Sequence, residues 1–211
     1  MQIEKLKNYE FEIKNYEFEI KNYEFEIKQL NYYKIGNWIK NNAPKYEKSY
    51  NDSLSNGQYE SKIWLIDELK KVKITQPAHI EIIGGWFGYP FIEMLESILD
   101  IKQIDFYELD ETCKKVLAQY IGHFEPKYKI AMFNDYFERK ELRRRQLIIN
   151  TSSEHMDDIV KMKQYYKNYP EYPILAIQSN DYYEIEDHIN CVENEQEIIK
   201  KNKINKVFYA G

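Results

Sequence analysis

The chain has 211 residues and a mass of 25.7 kDa, enough for one domain with a sizeable core plus appendages and too little for a multidomain machine. Its 30 Lys and Arg against 35 Asp and Glu leave a net charge of −5, so no global positive field favours nucleic acid as a partner. No run approaches the roughly 20 apolar residues of a membrane span, and the opening MQIEKLKNYE lacks the apolar core of a signal peptide, which predicts a soluble chain in the cytoplasm.

Residues 7–27 are three identical copies of KNYEFEI. On a helix, Leu6, Ile13, Ile20 and Ile27 form one stripe, with Tyr9, Tyr16 and Tyr23 three positions on. In an extended chain, Tyr, Phe and Ile of each copy alternate with Glu instead. The heptad period favours a helical arm over residues 1–31 that joins copies of the chain into a homo-oligomer; a neutral tandem expansion accounts for the copies at least as well. Residues 32–72 read as a helical cap. In the segment Ser61 to Lys71, Ile63, Leu65, Ile66 and Leu69 recur at helical spacing among Lys62, Asp67, Glu68 and Lys70, and Asn56-Gly57-Gln58 ahead of it reads as a turn.

From residue 73 to 211 the pattern changes to short apolar runs: His79 to Ile83, Gln103 to Glu108, Lys129 to Phe133, Gln146 to Asn150, Pro173 to Ser179 and Lys206 to Ala210. Helical segments such as Tyr89 to Leu99 and Glu111 to Gly122 lie between the early runs. Strands alternating with helices, without hairpin turns, predict an α/β domain with a doubly wound, mostly parallel, Rossmann-like sheet. Such sheets bind ligands beyond the carboxyl ends of their strands.

The first run ends in IEIIGGWFGYP, residues 80–90, where Gly84, Gly85 and Gly88 let the backbone turn tightly and approach a ligand. The string is neither GxGxxG nor GxxxxGK[ST]. The second run ends in FYELD, with Glu108 lying 24 residues beyond Gly84, near the spacing at which an acidic residue grips ribose hydroxyls. The third ends in MFNDYFE, whose Asn134 and Asp135 suit an adenine edge. The basic run Arg139, Lys140, Arg143, Arg144 and Arg145, broken by Glu138 and Glu141, reads as a solvated helix face. The fourth run ends in LIINTSSEHMDD and delivers Asn150, Glu154 and His155 to one strand end; a carboxylate or imidazole there serves as a general base. Ser152 and Ser153 also suit a helix N-cap. The fifth leaves Gln178, Ser179 and Asn180, followed by Asp187 and His188. Cys113 and Cys191 form no CxxC pair, and Cys191 beside His188 lacks a third partner, so no metal site is expected.

Over residues 56–211, the motifs IEIIGGWFG, YELD, ND and INTSSEHM resemble class I S-adenosylmethionine-dependent methyltransferases. The resemblance implies S-adenosyl-L-methionine as cofactor, its methionine part passing the turn of Gly84, Gly85 and Gly88, its ribose on Glu108 and its adenine near Asp135. It places Glu154, His155 and Asn150 on the acceptor side, with Trp64 or Trp86 stacked beside the sulfonium. Two positions depart from the family: Trp86 stands where a third glycine is usual, and the acid expected at Ile82 is displaced to Glu81. The Asn-Pro-Pro-Tyr or Asp-Pro-Pro-Tyr of amino-methylating nucleic-acid enzymes is absent, so a small-molecule acceptor is expected. The string NGQYESKIWLIDEL is similar to the segment ahead of the first strand in a viral-type subgroup. The reaction implied is in-line methyl transfer without a metal, in which alignment alone is worth about 7–11 kcal/mol. Three alternatives stay open: aminocarboxypropyl transfer from the same cofactor, a nicotinamide dehydrogenase, and a non-catalytic binding or assembly protein on this fold.

Overall fold

The computed structural model describes residues 29–134, 145–157 and 173–210. The KNYEFEI copies, Asp135 and the basic run up to residue 144 lie outside these residues. Among the described residues three helices precede the sheet: α1 (Gln29–Asn42), α2 (Glu47–Ser53) and α3 (Asn56–Lys70), with a 3-10 turn at Pro44–Tyr46. Then follow β1 (Ala78–Ile83), α4 (Phe91–Glu96), β2 (Ile101–Tyr107), α5 (Glu111–Phe124), β3 (Lys129–Phe133), β4 (Leu147–Asn150), β5 (Ile174–Ile177) and α6 (Glu195–Lys201).

The strands form one parallel sheet in the order β3-β2-β1-β4-β5. The chain steps outward from β1 to β3 and then crosses to the other side of β1, so a topological switch point lies between β1 and β4. This is the Rossmann-like α/β architecture expected from the alternation of runs. Strand periodicity turns Ile80, Ile82, Ile104 and Phe106 to one face, where they join Leu65, Ile66 and Leu69 of α3, Ile92 and Leu95 of α4, and Leu117 and Tyr120 of α5. Ile35 and Ile39 of α1 belong to the same cluster, so the helices ahead of β1 share the core of the sheet.

The opposite face carries a buried ion cluster. Glu81 and Asp105 are in-register partners on β1 and β2, and both contact Arg145: its Nε lies 2.9 Å from Glu81 Oε1, and its Nη2 pairs with Asp105. Arg145 is 3 % exposed, which corrects its reading as part of a solvated helix face. It stands two residues before β4, which enters the sheet beside β1, and that placement carries its guanidinium to the two acids. The same geometry accounts for the displaced acid of the glycine motif, since Glu81 faces Arg145 within the sheet layer.

Two further expectations are corrected. Asn56-Gly57-Gln58 is the first turn of α3, entered from an extended Ser55 (φ −62, ψ 156), rather than a turn ahead of a helix starting at Ser61. Lys206 to Ala210 is not a strand. Lys203 turns the chain with a left-handed φ of 48° after α6, and Tyr209 packs edgewise on Trp64 of α3 at 5.6 Å instead of pairing with an edge. Among the described residues no helix is long and apolar enough to cross a membrane.

The N-terminus of α5 is tied to the preceding helices. Asp110 caps it by accepting from the N–H of Thr112 (2.7 Å) and of Cys113 (3.3 Å), and the Tyr46 hydroxyl donates to its other oxygen at 2.7 Å. Burial pushes the Asp110 carboxyl up, but the Tyr46 hydroxyl and the two amides outweigh it and hold the carboxyl below its ordinary value. A depressed carboxyl contributes stability that is complete above the unfolded value near pH 4 and is lost as pH falls through the lower folded value. Asp110→Ala is expected to cost about 1 kcal/mol at neutral pH. In urea unfolding, the gap between it and the parent chain should shrink below pH 4; a gap independent of pH would contradict this role.

Candidate functional site

The chain leaves β1 at Ile83 and enters a turn in which Gly84 (φ +62), Trp86 (φ +56) and Gly88 (φ +74) take left-handed backbone. Only glycine enters that region without steric cost, so Trp86 must be held there. It is held at both ends: its N–H donates to Glu108 Oε2 at 3.0 Å, and its indole Nε1 donates to Ser49 Oγ at 3.2 Å. The ring stacks on Phe87 with centroids 5.5 Å apart. The other sequence candidate for stacking, Trp64, lies against Tyr209.

The glycines differ in what they do. A Cβ on Gly85 would meet the Phe106 ring at 2.4 Å, and one on Gly88 would meet Leu117 Cδ1 at 2.8 Å, so both let the turn press onto the core. Gly84 faces the β4 loop, where a Cβ would lie 3.0 Å from Ser152 Cβ and 3.2 Å from Met156 Cε. Ser152 Oγ donates to the Gly84 carbonyl at 2.8 Å, joining the two strand ends across the switch point.

Glu108 follows β2 and is half-buried. Its Oε1 accepts from the Asp110 N–H at 3.0 Å, while Oε2 accepts from Trp86. Burial pushes its carboxyl up, and the amides of Asp110 and Trp86 offset this only in part. The spacing of Gly84 and Glu108 in sequence therefore corresponds to a physical link between the glycine turn and the end of β2. At the end of β3, Asn134 accepts from Lys114 Nζ.

Beyond β4 the polar string is mostly turned inward. Asn150 is 1 % exposed; its Oδ1 accepts from the Ser152 N–H at 3.0 Å and its Nδ2 points to Met156 Sδ at 3.1 Å. Ser152 and Ser153 make no side-chain helix cap. Ser153 Oγ instead donates to the Gln178 carbonyl at 2.7 Å, and Gln178 Nε2 reaches Ser61 Oγ of α3 at 3.1 Å, so hydroxyls join the ends of β1, β4 and β5 to the cap.

Glu154 and His155 lie on a short 3-10 turn, Ser153–His155. Glu154 is 8 % exposed, and its Oε1 accepts from Asn180 Nδ2 at 3.0 Å. His155 is more open, with 38 % of its side chain exposed. The loop after β5 brings His188 against it, ring edge to ring face, with centroids 4.5 Å apart. Sequence reasoning named His188 but did not join it to Glu154 and His155; the only signal was the recurrence of polar residues after two strands that prove to be neighbours. Cys191 Sγ lies 3.6 Å from His188 Nδ1. Burial, together with Glu154 and Asp181, pushes its thiol up, as expected for an unreactive thiol.

No protein-family model matches the chain, and no curated protein matches it. Solved structures similar to it include methyltransferases. One provisionally described as a methyltransferase, from Bacillus halodurans, is 10% identical with a TM-score of 0.45, over 56% of this chain and 52% of its own. An S-adenosylmethionine-dependent methyltransferase from Thiobacillus denitrificans, solved with S-adenosyl-L-homocysteine, is 9% identical with a TM-score of 0.41, over 53% and 46%. A cyclopropane synthase from Mycobacterium tuberculosis is 10% identical with a TM-score of 0.39, over 47% and 33%. The chain spans about half the length of these proteins, or less.

Proposed function

We propose that the chain binds S-adenosyl-L-methionine across the carboxyl ends of β1 and β2 and catalyses transfer of its methyl group to a small-molecule acceptor. The observation that carries this reading is Glu108: a half-buried carboxylate with a raised affinity for protons, standing at the end of β2 and bonded to the N–H of the glycine turn. Each of its oxygens accepts one amide and keeps a second lone pair for a ribose hydroxyl. The motif resemblance supports the same placement, with Asp135 as the partner of adenine.

Bound there, S-adenosylmethionine supplies a methyl carbon already made electrophilic by its sulfonium. The chain's own residues have to orient and desolvate. Gly85 and Gly88 hold the turn by packing, Gly84 supplies its left-handed bend at the end of β1 under Ser152 and Met156, and Asn150 shapes the β4 loop. On the acceptor side Glu154, oriented by Asn180, and the more exposed His155 receive or orient the proton that an amine or hydroxyl gives up.

Calorimetry tests the reading. The full chain should bind S-adenosylmethionine and S-adenosylhomocysteine but not NAD, and Glu108→Ala should weaken binding at least about tenfold. Ribose hydroxyls stabilise the ionised form of Glu108, so affinity should rise with pH through the raised folded value of that carboxyl and level off above it. The mass added to a product distinguishes a methyl from an aminocarboxypropyl group. A second reading, a non-catalytic protein on this fold, is favoured by the Ser152 and Met156 side chains standing over Gly84. A folded chain that binds none of these compounds would overturn the cofactor reading and favour this one.

A further inference from the structure

We infer that Glu154, His155 and His188 form a binding site for a zinc ion. One ligand atom from each lies within 4.8 Å of the others, although the residues come from two loops, after β4 and after β5. The absence of a CxxC pair argued against zinc in the sequence, but two imidazoles and a carboxylate are an equally good zinc donor set once the fold brings them together.

Two features of the cluster point to a cation. The first is the orientation of the imidazoles. His155 Nδ1 sits 3.3 Å from the Asp187 carbonyl oxygen, and His188 Nδ1 sits 2.9 Å from that of Tyr182. Donation of Nδ1–H to a carbonyl fixes the tautomer and leaves Nε2 as a free lone pair, which is the outer-shell arrangement of metal-bound histidines. His155 Nε2 faces Glu154 Oε1 at 3.9 Å. The second is Glu154 itself. Its Oε2 is buried and has no hydrogen-bond partner among the described residues, while Asn180 holds Oε1. An orphaned carboxylate oxygen in a buried position is costly, and a cation satisfies it.

Tetrahedral zinc, with bonds of about 2.0–2.2 Å, holds its ligand atoms about 3.4 Å apart. Closing the cluster from 4.8 Å therefore takes shifts of about an ångström, which the half-exposed His155 ring can supply. Three protein ligands leave a fourth position toward solvent for water or an anionic oxygen. The site shares Glu154 and His155 with the acceptor side proposed above, so zinc bound there takes up the lone pairs that would otherwise receive the acceptor's proton, and its occupancy is measured independently of that role.

The untagged full chain, stripped with a chelator, is titrated with zinc against a chromophoric competitor and with cobalt(II), whose visible spectrum reports tetrahedral ligation. About one zinc per chain is expected, with His155→Ala and His188→Ala each weakening binding at least about tenfold and His123→Ala, on α5, leaving it unchanged. Far-ultraviolet circular dichroism checks the fold of each variant, and both histidines lie in exposed or half-exposed loops. Substoichiometric binding by the folded chain, or affinity that survives His188→Ala, would overturn the inference. Calorimetry with S-adenosylhomocysteine on the same samples reads the cofactor site separately.

Discussion

Arg145→Met is expected to destabilise the chain by about 3–5 kcal/mol, the cost of leaving buried charges without their partner. Arg145 lies between Glu81, which is fully buried, and Asp105, on adjacent strands in register. Without the guanidinium, two carboxylates share a water-poor layer of the sheet and lose the cation that pairs with both. Set against a typical domain stability of about 5–15 kcal/mol, that is a large fraction. Replacing all three residues by apolar ones of similar volume should recover most of the loss, because the intact cluster itself gives little net stability. Urea unfolding of the single and triple variants measures both. A single-variant loss under about 1 kcal/mol would show that water reaches the acids.

Gly85→Ala is expected to cost up to about 3 kcal/mol, at the upper end of overpacking penalties. Its Cβ would stand 2.4 and 2.6 Å from two atoms of the Phe106 ring and 2.8 Å from Ile82 Cγ2. Phe106 and Ile82 are wholly buried on strands of the central sheet and have nowhere to retreat. Relief requires the turn itself to lift, which would draw the Trp86 N–H from Glu108. Stability and cofactor affinity should therefore fall together. Gly57→Ala is the contrast, since a Cβ there meets nothing within 4 Å in the first turn of α3, and it should stabilise by about 0.5–1 kcal/mol. Thermal unfolding compares the two; equal effects would remove packing as the reason for Gly85.

The sheet was legible because its central strands β1, β2 and β4 are largely buried on both faces and so read as apolar runs. The Lys206 to Ala210 run misled because an apolar run by itself does not say whether it will find an edge, and this one lies beyond a left-handed turn at Lys203 that returns it to α3. Arg145 misled for a different reason: its meaning depends on Asp105, 40 residues away, and Glu81, further still, while locally it is one more charge in a basic run. The glycine turn and Glu108 could be paired because a known spacing links them. The approach of His155 to His188 depends on two irregular loops, for which no period or spacing exists. Likewise the hydroxyls of Ser152 and Ser153 looked like helix caps, and only the neighbouring strand ends show them to be cross-links.

The most direct test of the central claim is a crystal structure of the full chain grown with S-adenosyl-L-homocysteine. The account predicts both ribose hydroxyls on the Glu108 carboxylate, the amino-acid part along Gly84, and the Met156 side chain displaced from that glycine. A ligand lodged elsewhere, or a Gly84 turn still covered by Ser152 and Met156 at saturating ligand, would contradict it.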